Sequence, residues 1–249
     1  MANVSKTRAL AHAVVASAFL LVLTGSVFSA EIKIAAIAPA GGEIKSTKAI
    51  PFSLAAVHFE HNATDGDVEV VFEVRGGTDG LAGLIVRSPD GRRVIAFGAP
   101  DASTMGIRQF RFESPEPRDV KSIKAAYPEG VYKFFGKTAS GAKFFGKSTL
   151  SHRLPAATAL AKPAAKAENV SVKDFEVSWI AVQDTTSYIV KIEQRDLNVN
   201  LAALLPGSAT SFTVPNGFLS RGTKYQLSIG TVSRERNMSF VQTTFTTEQ

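Results

Sequence analysis

The sequence predicts an all-β protein, two antiparallel β-sandwiches in tandem behind a cleaved signal peptide. Three observations predict it. Apolar and polar residues alternate with period two in many segments after residue 50, turn residues recur every 8 to 12 positions, and an Ala/Pro stretch parts two such regions. The expected division is a signal peptide over 1–29, an N-terminal arm over 30–49, a first sandwich over 50–154, a linker over 155–167 and a second sandwich over 168–249.

The leader is read from its charge order. Lys6 and Arg8 precede an apolar run over 9–23, and small residues close the segment. Cleavage after Ser29 puts Val27 and Ser29 at the recognition positions, so that bond is preferred over the next. The run is shorter than the roughly 20 residues a membrane-crossing helix needs, and no second long apolar stretch follows. The expectation is an exported chain, periplasmic or extracellular and not membrane-spanning. Cys is absent, which excludes disulfides, thiolate metal sites and Cys nucleophiles. With the Ala-rich leader, this favours bacterial export. The leader holds two of the 28 Lys and Arg residues and no acid, leaving 26 bases against 22 acids, a net of +4. That balance gives no ground for a nucleic-acid partner.

The arm over 30–49 carries Pro39, Gly41 and Gly42. In the first sandwich, Val68, Val70, Phe72 and Val74 alternate with Glu69, Val71, Glu73 and Arg75, a half-buried strand. A hairpin is expected around Ser88-Pro89-Asp90-Gly91, where Pro fixes φ and Gly supplies a positive one. Ile107, Phe110 and Phe112 mark another strand. Pro115, Pro117 and Pro128 make 114–128 a loop with at most one short helical turn. A last hairpin runs from Tyr132 to Leu150. About seven strands fit into this region. The linker, 155–167, has too little apolar surface for a core of its own, although its last residues could begin the next domain.

In the second sandwich, Phe175, Val177 and Trp179 share one face of a strand, and Tyr188, Val190 and Ile192 share one face of the next. Leu219, Gly222, Thr223 and Tyr225 then form an L-x-x-G-T-x-Y run. With Trp179 on the second strand, Tyr188 on the third and a Thr-rich close, this region resembles a fibronectin type III domain over about 85 to 90 residues. The resemblance implies a seven-stranded sandwich with a tyrosine corner, the Tyr225 phenol oxygen bonded back to the turn near Leu219. It implies Trp179 in the core and a non-catalytic role. The first sandwich is read as immunoglobulin-like without an assigned family.

No catalytic constellation is found, and no cofactor is implied. After the leader the chain holds His58, His61 and His152; His58 and His61 fall on opposite faces of a strand, which argues against a shared metal. Gly-x-Ser-x-Gly elbows, phosphate-binding loops and a recognisable acid pair are absent. Asp65, Asp67 and Asp90 lie at one end of the first sandwich if strands alternate, and could support Ca²⁺. The plainer reading is turn chemistry.

The sharper signal is a repeat. Lys-Phe-Phe-Gly-Lys stands at 133–137 and again at 143–147. An even-length loop between the copies would mix the faces and put Lys under the sheet; an odd-length loop turns Phe134, Gly136, Phe144 and Gly146 inward. It leaves Lys133, Phe135, Lys137, Lys143, Phe145 and Lys147 on the other face. That face either packs against the linker or second domain, or binds a protein or an acidic glycan. A second candidate is the loop 234–237, with Arg234 and Arg236 at its tip; it is not the Arg-Gly-Asp of integrin ligands. The expected function is therefore an exported, non-enzymatic binding or structural protein of the bacterial envelope. The competing reading is an accessory, carbohydrate-associated module or a degenerate enzyme acting on envelope polysaccharide.

Overall fold

A computed structural model describes residues 49–99, 106–117, 119–194, 196 and 198–249. The signal peptide expected over 1–29 and the arm expected to follow it, up to residue 48, lie outside them. The described residues fall in one compact unit with two hydrophobic cores, one per sandwich.

The first sandwich has β1 (Ile50–Pro51), β2 (Leu54–Asn62), β3 (Asp67–Arg75), β4 (Gly83–Arg87), β5 (Arg93–Gly98), β6 (Gln109–Glu113), β7 (Gly130–Lys137) and β8 (Lys143–Leu150). One sheet runs β1-β8-β7-β4-β5; β2, β3 and β6 lie side by side in the other. The period-two pattern works as expected on β3, where Val68, Val70, Phe72 and Val74 enter the core against Leu84, Val86, Tyr132 and Phe134. The loop after β6 holds more helix than the prolines suggested. α1 (Val120–Ala126) spans seven residues, because Asp119 caps it by accepting from Ser122 N at 2.6 Å and Ile123 is buried in the core.

The second sandwich has β9 (Leu160–Lys162), β10 (Ala167–Val170), β11 (Glu176–Trp179), β12 (Ser187–Gln194), β13 (Val199–Pro206), β14 (Ser211–Thr213), β15 (Lys224–Val232) and β16 (Met238–Thr247). Its sheets are β14-β11-β9 and β13-β12-β15-β16, with β10 parallel to the end of β16.

The stretch 155–167 is no free linker. Leu160 packs on the second core, β9 pairs with β11, and Thr158 is buried with its hydroxyl on Ile180 O at 2.5 Å. An Ala/Pro segment cannot make a core, but an edge strand needs only main-chain bonds and one apolar side chain. That is what sequence patterning could not weigh.

β16 joins the sandwiches. Its free edge pairs in parallel with β2 at Met238–Phe240 and with β10 at its far end, so one sheet runs through both domains. Covering this edge also removes a site for stray strand pairing. Asn237, with no exposed surface, locks the junction. Its Oδ1 accepts from Phe59 N, and its Nδ2 donates to Ser151 O and Arg153 O, all at 2.8 Å. Ser239 Oγ donates to Pro155 O at 2.7 Å, and Thr231 Oγ1 to Ala156 O at 2.7 Å.

Candidate functional site

The β7–β8 hairpin sets the site. Its five-residue loop, 138–142, is closed by Thr138 N donating to Ala142 O at 3.0 Å, with Gly141 at φ +89°. This odd loop pairs Lys133 with Lys147, Phe135 with Phe145 and Lys137 with Lys143. On the inward face Phe134 faces Gly146 and Gly136 faces Phe144, large against small. The glycines are needed there: a Cβ at Gly136 would meet the Phe52 ring at 2.8 Å, and one at Gly146 would meet Ala55 Cβ at 2.9 Å. So the repeat encodes a core that Phe52 fills from the opposite side, and the outer Lys-Phe-Lys face follows from the alternation.

On that outer face Phe135 is 39% exposed and Phe145 is half-buried, their rings 5.3 Å apart. Lys147 Nζ stands 5.7 Å from the Phe145 ring centre. The neighbouring hairpin extends the surface. Ile85 lies beside Phe135, Arg87 beside Lys133, and Arg93 opposite Arg87. Four cations, Lys147, Lys133, Arg87 and Arg93, thus sit in register across four strands. Among the described residues none of these, nor Lys137 or Lys143, makes an ion pair. Like charges directly opposite one another destabilise a sheet. The contribution of β4 and β5 could not be seen in the sequence, because strand register joins residues about 50 positions apart. A depression of about 670 Å³ adjoins this corner, lined by Arg87, Arg92, Arg93, Val94, Ala126 and Tyr127.

The other candidates disperse. Arg234 and Arg236 are exposed on their turn, but Glu235 pairs with Arg153 at 3.0 Å and Asn237 is buried in the junction. The base of that loop is therefore structural. Asp65, Asp67 and Asp90 do not assemble. Asp65 accepts from Asn62 Nδ2 and Asp67 N within its own turn, whereas Asp90 is held by Ser88 Oγ and, at 2.7 Å, by Arg92 Nε. No group of three His, Asp or Glu able to hold a metal occurs among the described residues. The Ca²⁺ reading is corrected accordingly: Asp65 and Asp90 are held in separate turns, and Asp67 stands at the start of β3. The histidines also part company. His58 Nε2 meets Glu60 Oε1 at 3.0 Å, His61 Nδ1 meets Ser239 Oγ at 3.3 Å, and His152 stacks on Phe59.

The landmark residues of the second sandwich cluster in its core. Trp179 and Tyr188 pack with ring centres 5.2 Å apart, and Leu219 is buried in the same core. Tyr225 is buried on β15, and its phenol oxygen accepts from Ser220 N at 2.8 Å, one residue beyond Leu219. That bond is the tyrosine corner. The second sandwich is fibronectin type III-like.

No protein-family model and no curated protein matches the chain. Among solved structures the chain is similar to the chicken CNTN1 FN1–FN3 domains, with 13% identity over 81% of this chain and 65% of that one, TM-score 0.33. It is similar to the fibronectin(III)-like modules of Clostridium thermocellum CbhA, with 9% identity over 79% of this chain and 92% of that one, TM-score 0.32. A segment of two fibronectin type III domains from chicken tenascin matches at 13% identity over 79% of this chain and 99% of that one, TM-score 0.29. The chain thus spans less than two thirds of the CNTN1 structure. The strand order of the second sandwich and its Tyr225 corner are those of a fibronectin type III-like fold. Among the described residues no helix is long and apolar enough to cross a membrane.

Proposed function

We propose that this chain is an exported, non-catalytic binding module of the bacterial envelope whose working surface is the outer face of the β7–β8 hairpin with β4 and β5. The observation that carries the reading is the row Lys147, Lys133, Arg87 and Arg93, four cations in cross-strand register beside the paired rings of Phe135 and Phe145. Such a row opposes folding and gains its counterpart only from an anionic partner, an acidic protein surface or an acidic glycan. The leader over 1–29 supports export. The two sandwiches, with β9 and β10 built into the second, serve as the mount, joined through β16.

The test is the double variant Phe135→Ser with Phe145→Ser, measured for thermal stability and for retention on an array of acidic glycans and on an immobilised acidic protein. The expected result is at least a tenfold loss of binding with the cooperative melt preserved. Binding equal to wild type by the variant refutes the reading, and so does failure of the wild type to bind any anionic probe.

A further inference from the structure

The two outward faces of the first sandwich carry opposite charge. On the β1-β8-β7-β4-β5 side the exposed strand positions present Lys133, Lys137, Lys143, Lys147, Arg87 and Arg93. On the β2-β3-β6 side the outward strand positions carry Glu60, Glu69 and Glu73, all partly buried, and the exposed Glu113, with Asp67 at the start of β3 and Glu116 just past β6. Arg111 lies across this second face. It pairs with Glu60 at 2.9 Å, Glu113 at 2.6 Å and Glu73 at 3.4 Å, so one guanidinium serves three carboxylates. Glu69, Asp67 and Glu116 make no ion pair among the described residues. Burial first, and then the neighbouring Glu113, Asp67, Glu60 and Glu116 carboxylates, push Glu69 up to about 7.

Each face therefore holds like charges crowded against one another, and each lacks what the other supplies. We propose that the anionic partner of the basic face is the acidic face of a second copy of this chain, stacked head to tail. This rests on the functional reading above and names the partner for the same surface. The two sheets pack against one core, so their outer faces point in opposite directions. A copy bound by its acidic face leaves its basic face free for the next. The contact is heterologous and, repeated by translation, builds an open row rather than a closed pair. Complementary potentials set the order of copies and make the association sensitive to salt.

The full exported chain is examined by sedimentation velocity over a concentration series, in low salt and again in about 500 mM salt, where the screening length falls to a few Å. The expected result is concentration-dependent growth that weakens at least tenfold in high salt. Two variants follow, both checked for an unchanged melt: Lys133→Glu with Lys147→Glu breaks the cation row with two acids, and Glu69→Lys with Glu116→Lys sets two cations among the carboxylates of the acidic face. Each alone stays monomeric, and an equimolar mixture associates again. A wild-type chain that stays monomeric at all concentrations in low salt overturns the proposal. Association that persists in either variant alone, or a mixture that stays monomeric, overturns it as well. A monomeric wild type whose binding to acidic glycans is lost in Lys133→Glu with Lys147→Glu would refute the stacking while sustaining the broader reading of the basic face. If a variant melts early, Lys133→Gln with Lys147→Gln replaces it, and association equal to wild type then refutes the proposal.

Discussion

Asn237→Ala is the substitution that most directly probes how the two sandwiches are joined. The wild-type amide is fully buried and makes three bonds of 2.8 Å, to Phe59 N, Ser151 O and Arg153 O. Alanine leaves one N–H and two carbonyls without those partners, and each such loss is worth about 1–3 kcal/mol. Some relief comes from water entering the gap, so the expected loss is about 3–5 kcal/mol. For a cooperative unit of this size that corresponds to a fall in Tm of roughly 10 °C. Calorimetry and urea unfolding measure it, and calorimetry also reports whether one transition becomes two as the sandwiches uncouple. Asn237→Asp adds a second reading. It keeps the acceptor for Phe59 N but turns a carboxylate oxygen toward two carbonyls, so it is expected to be at least as damaging at neutral pH and less so when protonated in acid. A loss below about 1 kcal/mol for the alanine variant, with one unchanged transition, would refute the view that this amide ties the domains together.

Two further outcomes follow from local geometry. Gly146→Ala places a methyl group 2.9 Å from Ala55 Cβ and 3.0 Å from the Phe52 ring, and urea unfolding should show a loss of about 1–3 kcal/mol from overpacking; an unchanged midpoint would mean that Phe52 does not fill the hairpin. Glu69 has its folded pKa raised from 4.5 to about 7 by burial and then by neighbouring acids. The folded state holds the proton more tightly than the unfolded state, so this group's contribution falls as pH rises from 4.5 through 7. Glu69→Gln is therefore expected to raise Tm at pH 8 and to leave it unchanged near pH 4.5, and a thermal melt series across pH would reveal the opposite trend if the sign were wrong.

Much of the fold is visible in the sequence because it depends on neighbours along the chain. The alternation Val68, Val70, Phe72, Val74 is local, and these residues are the ones in the core. The Lys-Phe-Phe-Gly-Lys repeat is local too. With a five-residue loop, its own period sends Phe135 and Phe145 to the same outer face. Tyr225 and Leu219 mark their corner because that motif closes over a few residues. The helix over 120–126 was less legible, since Asp119 and Ile123 act there against a proline-rich background.

Strand period and short-range turns are written along the chain, and they specify the all-β class, the fibronectin type III-like close and the two faces of the repeat hairpin. Which strands meet is set only by the folded chain. It turned the Ala/Pro stretch into β9, ran one sheet through both domains by way of β16, and spent Asn237 on the junction. It also set Arg87 and Arg93 in line with Lys133 and Lys147. Such pairings are fixed by hydrogen-bond register between distant segments, and residue order carries no local trace of them.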